Sequence, residues 1–189
     1  GAVLIQYRNK AASTDLRREQ ILALLPVCHA GGADLIVNDD VELAIELEAD
    51  GVHVGRDDAP GSLVAVRQAL GPNRILGVSC YNEVSLAETA AAVGADYLAI
   101  GSMFVSNTKP AAVKASLELV AEVHRRFGLP VAAIGGITLE NAPSVIAAGA
   151  DLIAVITDLF NAADIQLQAQ NYAALFAKPS TNPAGAIHS

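Results

Sequence analysis

Gln6, Arg8 and Lys10 stand at alternate positions directly after the apolar run Ala2-Val3-Leu4-Ile5, with Tyr7 and Asn9 between them. On an extended strand, alternate residues point to one face. The three side chains are therefore expected to converge at the C-terminal end of a first strand. Arg grips phosphate through a bidentate fork, and Lys adds a compact point charge. The chain carries a net charge of −8. Cations gathered at one point of so acidic a protein read as a local site for an anion. The plainer alternative is a strand end with solvated charges.

Other groups able to do chemistry follow later apolar runs. Asn38-Asp39-Asp40 can cap a helix, as Asn and Asp often do. It can equally offer a carboxylate to a cation and an amide to a phosphate. His53-Val54-Gly55-Arg56-Asp57-Asp58 again supplies carboxylates, and His53 reads as a hydrogen-bonded strand-end residue rather than a metal ligand. Two carboxylates on neighbouring strand ends suit Mg²⁺, which takes few protein oxygens and fills its shell with water and phosphate. Ser79, in Gly77-Val78-Ser79-Cys80-Tyr81, has no neighbouring His–Asp arrangement that would make it a nucleophile. It reads as a hydroxyl donor to phosphate.

The segment Gly101–Pro110 holds Ser106, Asn107, Thr108 and Lys109 in a loop of about a dozen residues, long for a strand-to-helix connection. Loops of that kind close over active sites, and two hydroxyls with a Lys suit a phosphate. Ile134-Gly135-Gly136-Ile137-Thr138 and Val155-Ile156-Thr157-Asp158 follow the last two apolar runs. Paired glycines let backbone N–H groups approach an anion.

These groups need a scaffold that brings strand ends together. Strand-like runs are expected at Ala2–Tyr7, Leu35–Val37, Gly51–Val54, Ile75–Val78, Tyr97–Ile100, Val131–Ile134 and Leu152–Ile156. Amphipathic stretches alternate with them at Thr14–Cys28, Val41–Glu48, Gly61–Leu70, Val84–Val93, Lys114–Phe127, Asn141–Ala148 and Ala163–Ala177. Strict alternation predicts a parallel sheet of βα units. Ala33-Asp34, Ala49-Asp50, Ala95-Asp96 and Ala150-Asp151 each precede a strand, as helix-ending turns would.

An open doubly wound sheet gives no reason for polar motifs after nearly every strand, whereas a (β/α)₈ TIM barrel collects them on one face. The expectation is such a barrel, in α/β class, with its first βα unit missing ahead of Gly1. The loops after the last two strands are the usual phosphate site of this barrel. One domain is expected over residues 1–178, with a disordered tail over residues 179–189.

Composition excludes some classes. No apolar run approaches membrane-spanning length, and no signal peptide is visible. The acidic balance argues against nonspecific nucleic-acid binding. Cys28 and Cys80 show neither zinc nor disulfide spacing, so a reducing cytoplasm is the simplest reading. The partners expected are small molecules, with no nucleic acid and no membrane. Self-association into a homo-oligomer stays open.

The ordered set Gln6-x-Arg8-x-Lys10, Asn38-Asp39, Gly51-Val52-His53-Val54-Gly55 with Asp58, Gly77-Val78-Ser79, Thr108-Lys109-Pro110, Ile134-Gly135-Gly136-Ile137 and Val155-Ile156 resembles the thiamine phosphate synthase family. The resemblance runs from about Gly1 to Phe176. It implies a (β/α)₈ barrel that joins 4-amino-5-hydroxymethyl-2-methylpyrimidine diphosphate to a thiazole phosphate. Thiamine monophosphate and diphosphate would be the products, with Mg²⁺ as cofactor. The resemblance assigns Gln6, Arg8, Lys10, Asn38, Ser79 and Lys109, within the strand-end run that includes Tyr7 and Asn9, to the pyrimidine diphosphate. It gives Asp39 and Asp58 to Mg²⁺. It gives Ser106 to Thr108, Gly136, Ile156 and Thr157 to the thiazole phosphate. Arg8, Lys10, Ser79 and Lys109 are the expected catalytic residues.

The chain departs from the family's usual Gln at Arg56, Pro at Val105, Thr at Ser106 and Ser at Thr157; hydroxyls are retained at the last two. The implied chemistry is a dissociative substitution. Neutralised diphosphate leaves, the aminopyrimidine stabilises the cation, and the thiazole nitrogen adds. Two other readings are a thiazole tautomerase of the same superfamily and a barrel that binds phosphates without catalysis. The first needs an acid–base residue, and the loop after Ser79 holds no His.

Overall fold

The apolar runs become strands because each is bounded by turn residues and each alternates between two packing surfaces. The computed structural model describes residues 1–55, 61–105 and 113–177. Its strands are β1 (Leu4–Tyr7), β2 (Asp34–Asn38), β3 (Gly51–Val54), β4 (Ile75–Tyr81), β5 (Tyr97–Ile100), β6 (Val131–Ile134) and β7 (Leu152–Ala154). Its helices are α1 (Thr14–Ala30), α2 (Val41–Glu46), α3 (Leu63–Leu70), α4 (Val84–Ala92), α5 (Leu117–Phe127), α6 (Ala142–Ala147), α7 (Thr157–Phe160) and α8 (Ile165–Ala174). The expected tail and parts of two loops lie outside the described residues.

All seven strands pair in parallel, in the order β1-β2-β3-β4-β5-β6-β7. One face of the sheet carries Leu35, Val37, Val52, Val54, Leu76, Val78, Leu98, Ile100, Val131 and Ala133, which form the main core with the helices. The other face carries Tyr97, Ala99 and Ala132, with Leu4, Ile75 and Leu152 packed against them. Leu4 is on the first strand and Leu152 on the last, so the sheet curls until both reach one inner cluster. This is the TIM-barrel-like arrangement that the alternation predicts. Among the described residues no ladder joins β7 to β1.

Helix starts follow side-chain chemistry. Ser13, Asp40, Ser62, Ser116 and Asp164 each accept a hydrogen bond from a backbone N–H of the first turn. The Ala-Asp turns do more than end helices. Asp50 accepts from the N–H of Leu35 at 2.7 Å, and its own N–H donates to the Leu35 carbonyl. Asp96 does the same with Leu76, and Asp151 with Val131. Each carboxylate also meets a basic side chain of an earlier helix: His29, Arg67 and His124. The turns before β3, β5 and β7 thus fasten each of those strands to the one before it by the same clamp.

Most element ends shift by a few residues from expectation, and the largest difference in kind is at the end of the sheet. The last strand ends at Ala154 rather than Ile156, because α7 takes over from Thr157. A helix of four residues is shorter than the window in which a 3.6-residue period can be read.

Candidate active site

The strand ends meet where β1 and β2 finish. β1 stops at Tyr7, so the alternating-face argument holds for Gln6 and not for Arg8 or Lys10. Those two lie in the turn leading to the Ser13 cap. Lys10 nevertheless reaches the neighbouring strand end, with its Nζ 2.8 Å from Asp39 Oδ2. Asn38 Nδ2 donates to the same oxygen at 2.5 Å. Asp39 has a φ of 65, and its N–H donates to the His53 carbonyl of β3. That left-handed turn is uncommon for a residue other than Gly and holds the carboxylate at the mouth.

The two readings of Asn38-Asp39-Asp40 divide between its members. Asp40 is the helix cap, accepting from Leu43 N–H at 3.0 Å and pairing with Arg17 at 2.7 Å. Asp39 is left for the site. A cleft of about 310 Å³ opens here, with Arg8, Lys10, Asn38 and Asp39 in its wall. Arg8 is exposed in that wall. Tyr7 and Asn9 turn towards α1: the Tyr7 hydroxyl and the Asn9 amide both donate to Gln20 Oε1, at 2.7 and 3.1 Å. Gln20 thus braces the turn that presents Lys10. A lone Gln on an amphipathic helix gives no signal of that role.

Inside the curl, β3, β4 and β5 present one row. His53 is, as its place at a strand end implies, a hydrogen-bonded histidine, and it is buried, with 8% of its surface exposed. Its Nδ1 lies 2.8 Å from the Tyr97 hydroxyl and its Nε2 2.8 Å from Ser79 Oγ. Strand pairing thus brings a histidine to Ser79 that the sequence does not place beside it, but its other nitrogen meets a tyrosine and not a carboxylate, so no Ser-His-Asp arrangement forms. Burial pulls the His53 pKa down to about 4. An imidazole that weakly basic is a poor general base near neutrality, so the pair is not a nucleophile and base. Burial also pushes the Tyr97 phenol up, which keeps it protonated.

The loops after β5 and β6 are seamed together. Met103 and Phe104 donate their N–H groups to the carbonyls of Ile134 and Gly135, both at 2.9 Å. Gly135 and Gly136 have φ values of 101 and 64. A Cβ at Gly136 would lie 2.6 Å from the Val105 carbonyl oxygen. Glycine is therefore required twice over, for conformation and for space. Asn141, which the sequence reading passed over, accepts from Thr138 N–H and donates to the Gly136 carbonyl. Ile156 and Thr157 are exposed at the start of α7, next in order around the sheet.

Arg56, Asp58, Ser106, Asn107, Thr108 and Lys109 lie outside the described residues. Among the described residues no cluster of three or more His, Cys, Asp or Glu could hold a metal. Asp39 supplies a hard carboxylate oxygen at the cleft, the donor type that Mg²⁺ takes. No helix among the described residues is long and apolar enough to cross a membrane.

Residues 1–159 match the family model described as thiamine monophosphate synthase. The chain is 54% identical over 174 residues to the thiamine-phosphate synthase of Azoarcus sp. (strain BH72), covering 92% of this chain and 84% of that one. It is 52% identical to the thiamine-phosphate synthase of Methylobacillus flagellatus, over 93% of this chain and 83% of that one. Among solved structures, thiamine phosphate pyrophosphorylase from Pyrococcus furiosus superposes with a TM-score of 0.83 at 34% identity. That match covers 93% of this chain and 83% of the other.

Proposed function

The chain belongs to the thiamine monophosphate synthase family, and on that premise we propose how its own residues perform a synthase reaction. The substrates in this reading are 4-amino-5-hydroxymethyl-2-methylpyrimidine diphosphate and a thiazole phosphate. Gln6, Arg8, Lys10, Asn38 and Ser79 hold the pyrimidine diphosphate, with Lys109. Gly136, Ile156 and Thr157 hold the thiazole phosphate, with Ser106 and Thr108. The two groups belong to strand ends on either side of the curl, so the substrates meet between them.

Asp39 and Asp58 are the residues that would hold Mg²⁺. When bound, the ion would neutralise charge on the diphosphate. The protein's own cations do similar work. Arg8 and Lys10 stabilise the oxygens on which charge builds as the carbon–oxygen bond breaks. The aminopyrimidine carries the resulting cation, and the thiazole nitrogen, which has no proton to lose, adds to the methylene carbon. No general base is needed, which agrees with a His53 kept neutral by burial. The enzyme contributes position and charge.

One observation carries the reading. Lys10, Asn38 and Asp39 form a cation, amide and carboxylate cluster within hydrogen-bond reach at neighbouring strand ends. The test is release of diphosphate when both substrates and Mg²⁺ are supplied. Release that needs both substrates supports the proposal. Proton exchange on the thiazole phosphate alone, with no diphosphate, would move the chain to the tautomerase reading.

A further inference from the structure

Ser79 is useful to an anion only as a donor, yet a serine hydroxyl can donate or accept. What decides its direction lies deeper in the sheet. Tyr97 of β5 pairs in register with Gly77 of β4, and Gly77 with His53 of β3. A Cβ at Gly77 would lie 2.1 Å from the Tyr97 ring. The missing side chain lets the Tyr97 ring cross β4 and reach His53 on the strand beyond. His53 in turn contacts Ser79, two residues above Gly77 on the same face.

A neutral imidazole has one N–H and one bare nitrogen. Two arrangements fit the distances. In one, the Tyr97 hydroxyl donates to Nδ1 and the Nε2 proton goes to Ser79 Oγ. In the other, Nδ1 donates to Tyr97 and Ser79 donates to Nε2. The second leaves the phenol proton without an acceptor: among the described residues the Tyr97 hydroxyl meets only His53. The ring packs among Ala99, Ala132, Leu4, Ile75 and Leu152, which offer no polar side chain. A buried donor without a partner is costly. The first arrangement satisfies the buried Tyr97 hydroxyl and both His53 nitrogens, and leaves only the proton of the part-buried Ser79 free.

We infer that Tyr97 and His53 are positioning residues that fix the Ser79 hydroxyl as a proton donor towards the strand-end face. The relay runs Tyr97 to His53 to Ser79, and the next acceptor is an anionic oxygen of the ligand. This deepens the proposed function, since it rests on Ser79 facing a diphosphate. Neither Tyr97 nor His53 touches the substrate in this account. The device also discriminates. A hydroxyl that can only donate favours phosphate oxygens over any ligand group that must itself donate.

The tautomer can be read directly. Nitrogen-15 spectra of the imidazoles in the wild-type protein near neutral pH, with His53 assigned by comparison with His53→Gln, distinguish a protonated Nε2 from a protonated Nδ1. A protonated Nε2 is expected, and a protonated Nδ1 would overturn the relay. The second measurement is a double-variant cycle read by binding of inorganic diphosphate with Mg²⁺. Tyr97→Phe and Ser79→Ala should each weaken binding by about tenfold, the scale of one hydrogen bond to a charged group. The double variant should be no weaker than Ser79→Ala alone, with melting temperatures recorded for all three. Additive losses, or a folded Tyr97→Phe that binds as well as wild type, would contradict the relay. If wild type binds diphosphate but does not turn over the two substrates, the synthase reading fails while the cycle still decides the relay.

Discussion

The Lys10 ammonium and the Asp39 carboxylate lie 2.8 Å apart across the ends of two neighbouring strands. Lys10 is about half exposed and Asp39 largely covered, at 49% and 20% of their side-chain surfaces. Such a pair adds little to stability at a surface. Its value lies in holding opposite charges ready at one place, where a polyanion and its counter-cation can be received together.

Asp39→Asn is therefore expected to lower turnover by about a hundredfold, as loss of a key electrostatic group does. Folding should be little affected, since Asp40 and not Asp39 caps α2. Steady-state diphosphate release at saturating Mg²⁺ is the measurement. Near-normal rates would remove Asp39 from the site.

Gly136→Ala should damage the other end of the cleft. Its φ of 64 and the Val105 oxygen 2.6 Å from an added Cβ force the β6 loop or the β5 loop to move. The KM for the thiazole phosphate should rise by about tenfold or more, with a smaller change for the pyrimidine diphosphate. Equal effects on both substrates would show that the two loops do not serve one ligand.

The buried His53 sets a direction for stability against pH. Its folded pKa, about 4, lies below its ordinary value of 6.5. Between those values the unfolded chain binds a proton that the folded one does not, so stability falls as pH falls. Urea midpoints should drop between about pH 7 and about pH 5, and the drop should shrink in His53→Gln. A slope unchanged by that substitution would assign the effect to other groups.

Neither cysteine should react in the folded protein. Burial pushes the Cys80 thiol up to about 12 and raises Cys28 as well, and the thiolate is the reactive form. Titration with a thiol reagent should be slow without denaturant and give two equivalents with it. Rapid native labelling at Cys80 would show that the core between sheet and helices opens.

Asp96→Ala removes an acceptor from the Leu76 N–H and a partner from Arg67, bonded at 2.7 and 2.6 Å. A loss of about 1–3 kcal/mol is expected, the scale of an abandoned buried donor. Arg67→Lys should cost less, because the backbone bond survives. Chemical denaturation of both variants checks the order.

Much of the scaffold was legible because its signals are local. Short apolar runs, Ser and Asp caps and the recurring Ala-Asp turns each act within a few residues, and all seven strands and most helices follow from them. Asp39, Asn38 and Ser79 could be singled out because polar residues after apolar runs are conspicuous. Three relations were not legible. The link from Ser79 to His53 spans 26 residues and depends on strand pairing. The passage of Tyr97 over Gly77 requires the register of β4 on β5. Lys10 meets Asp39 through a turn and not through the strand alternation that first drew notice to it.

The Asp50, Asp96 and Asp151 clamps carry a temporal consequence. Three strands, β2, β4 and β6, are each fastened by a carboxylate that lies further along the chain: Leu35 waits for Asp50, Leu76 for Asp96 and Val131 for Asp151. During synthesis a newly made unit stays unlatched until the start of a later one has emerged. The sheet is thereby latched in pairs, β2 with β3, β4 with β5 and β6 with β7, each pair closed by its later member.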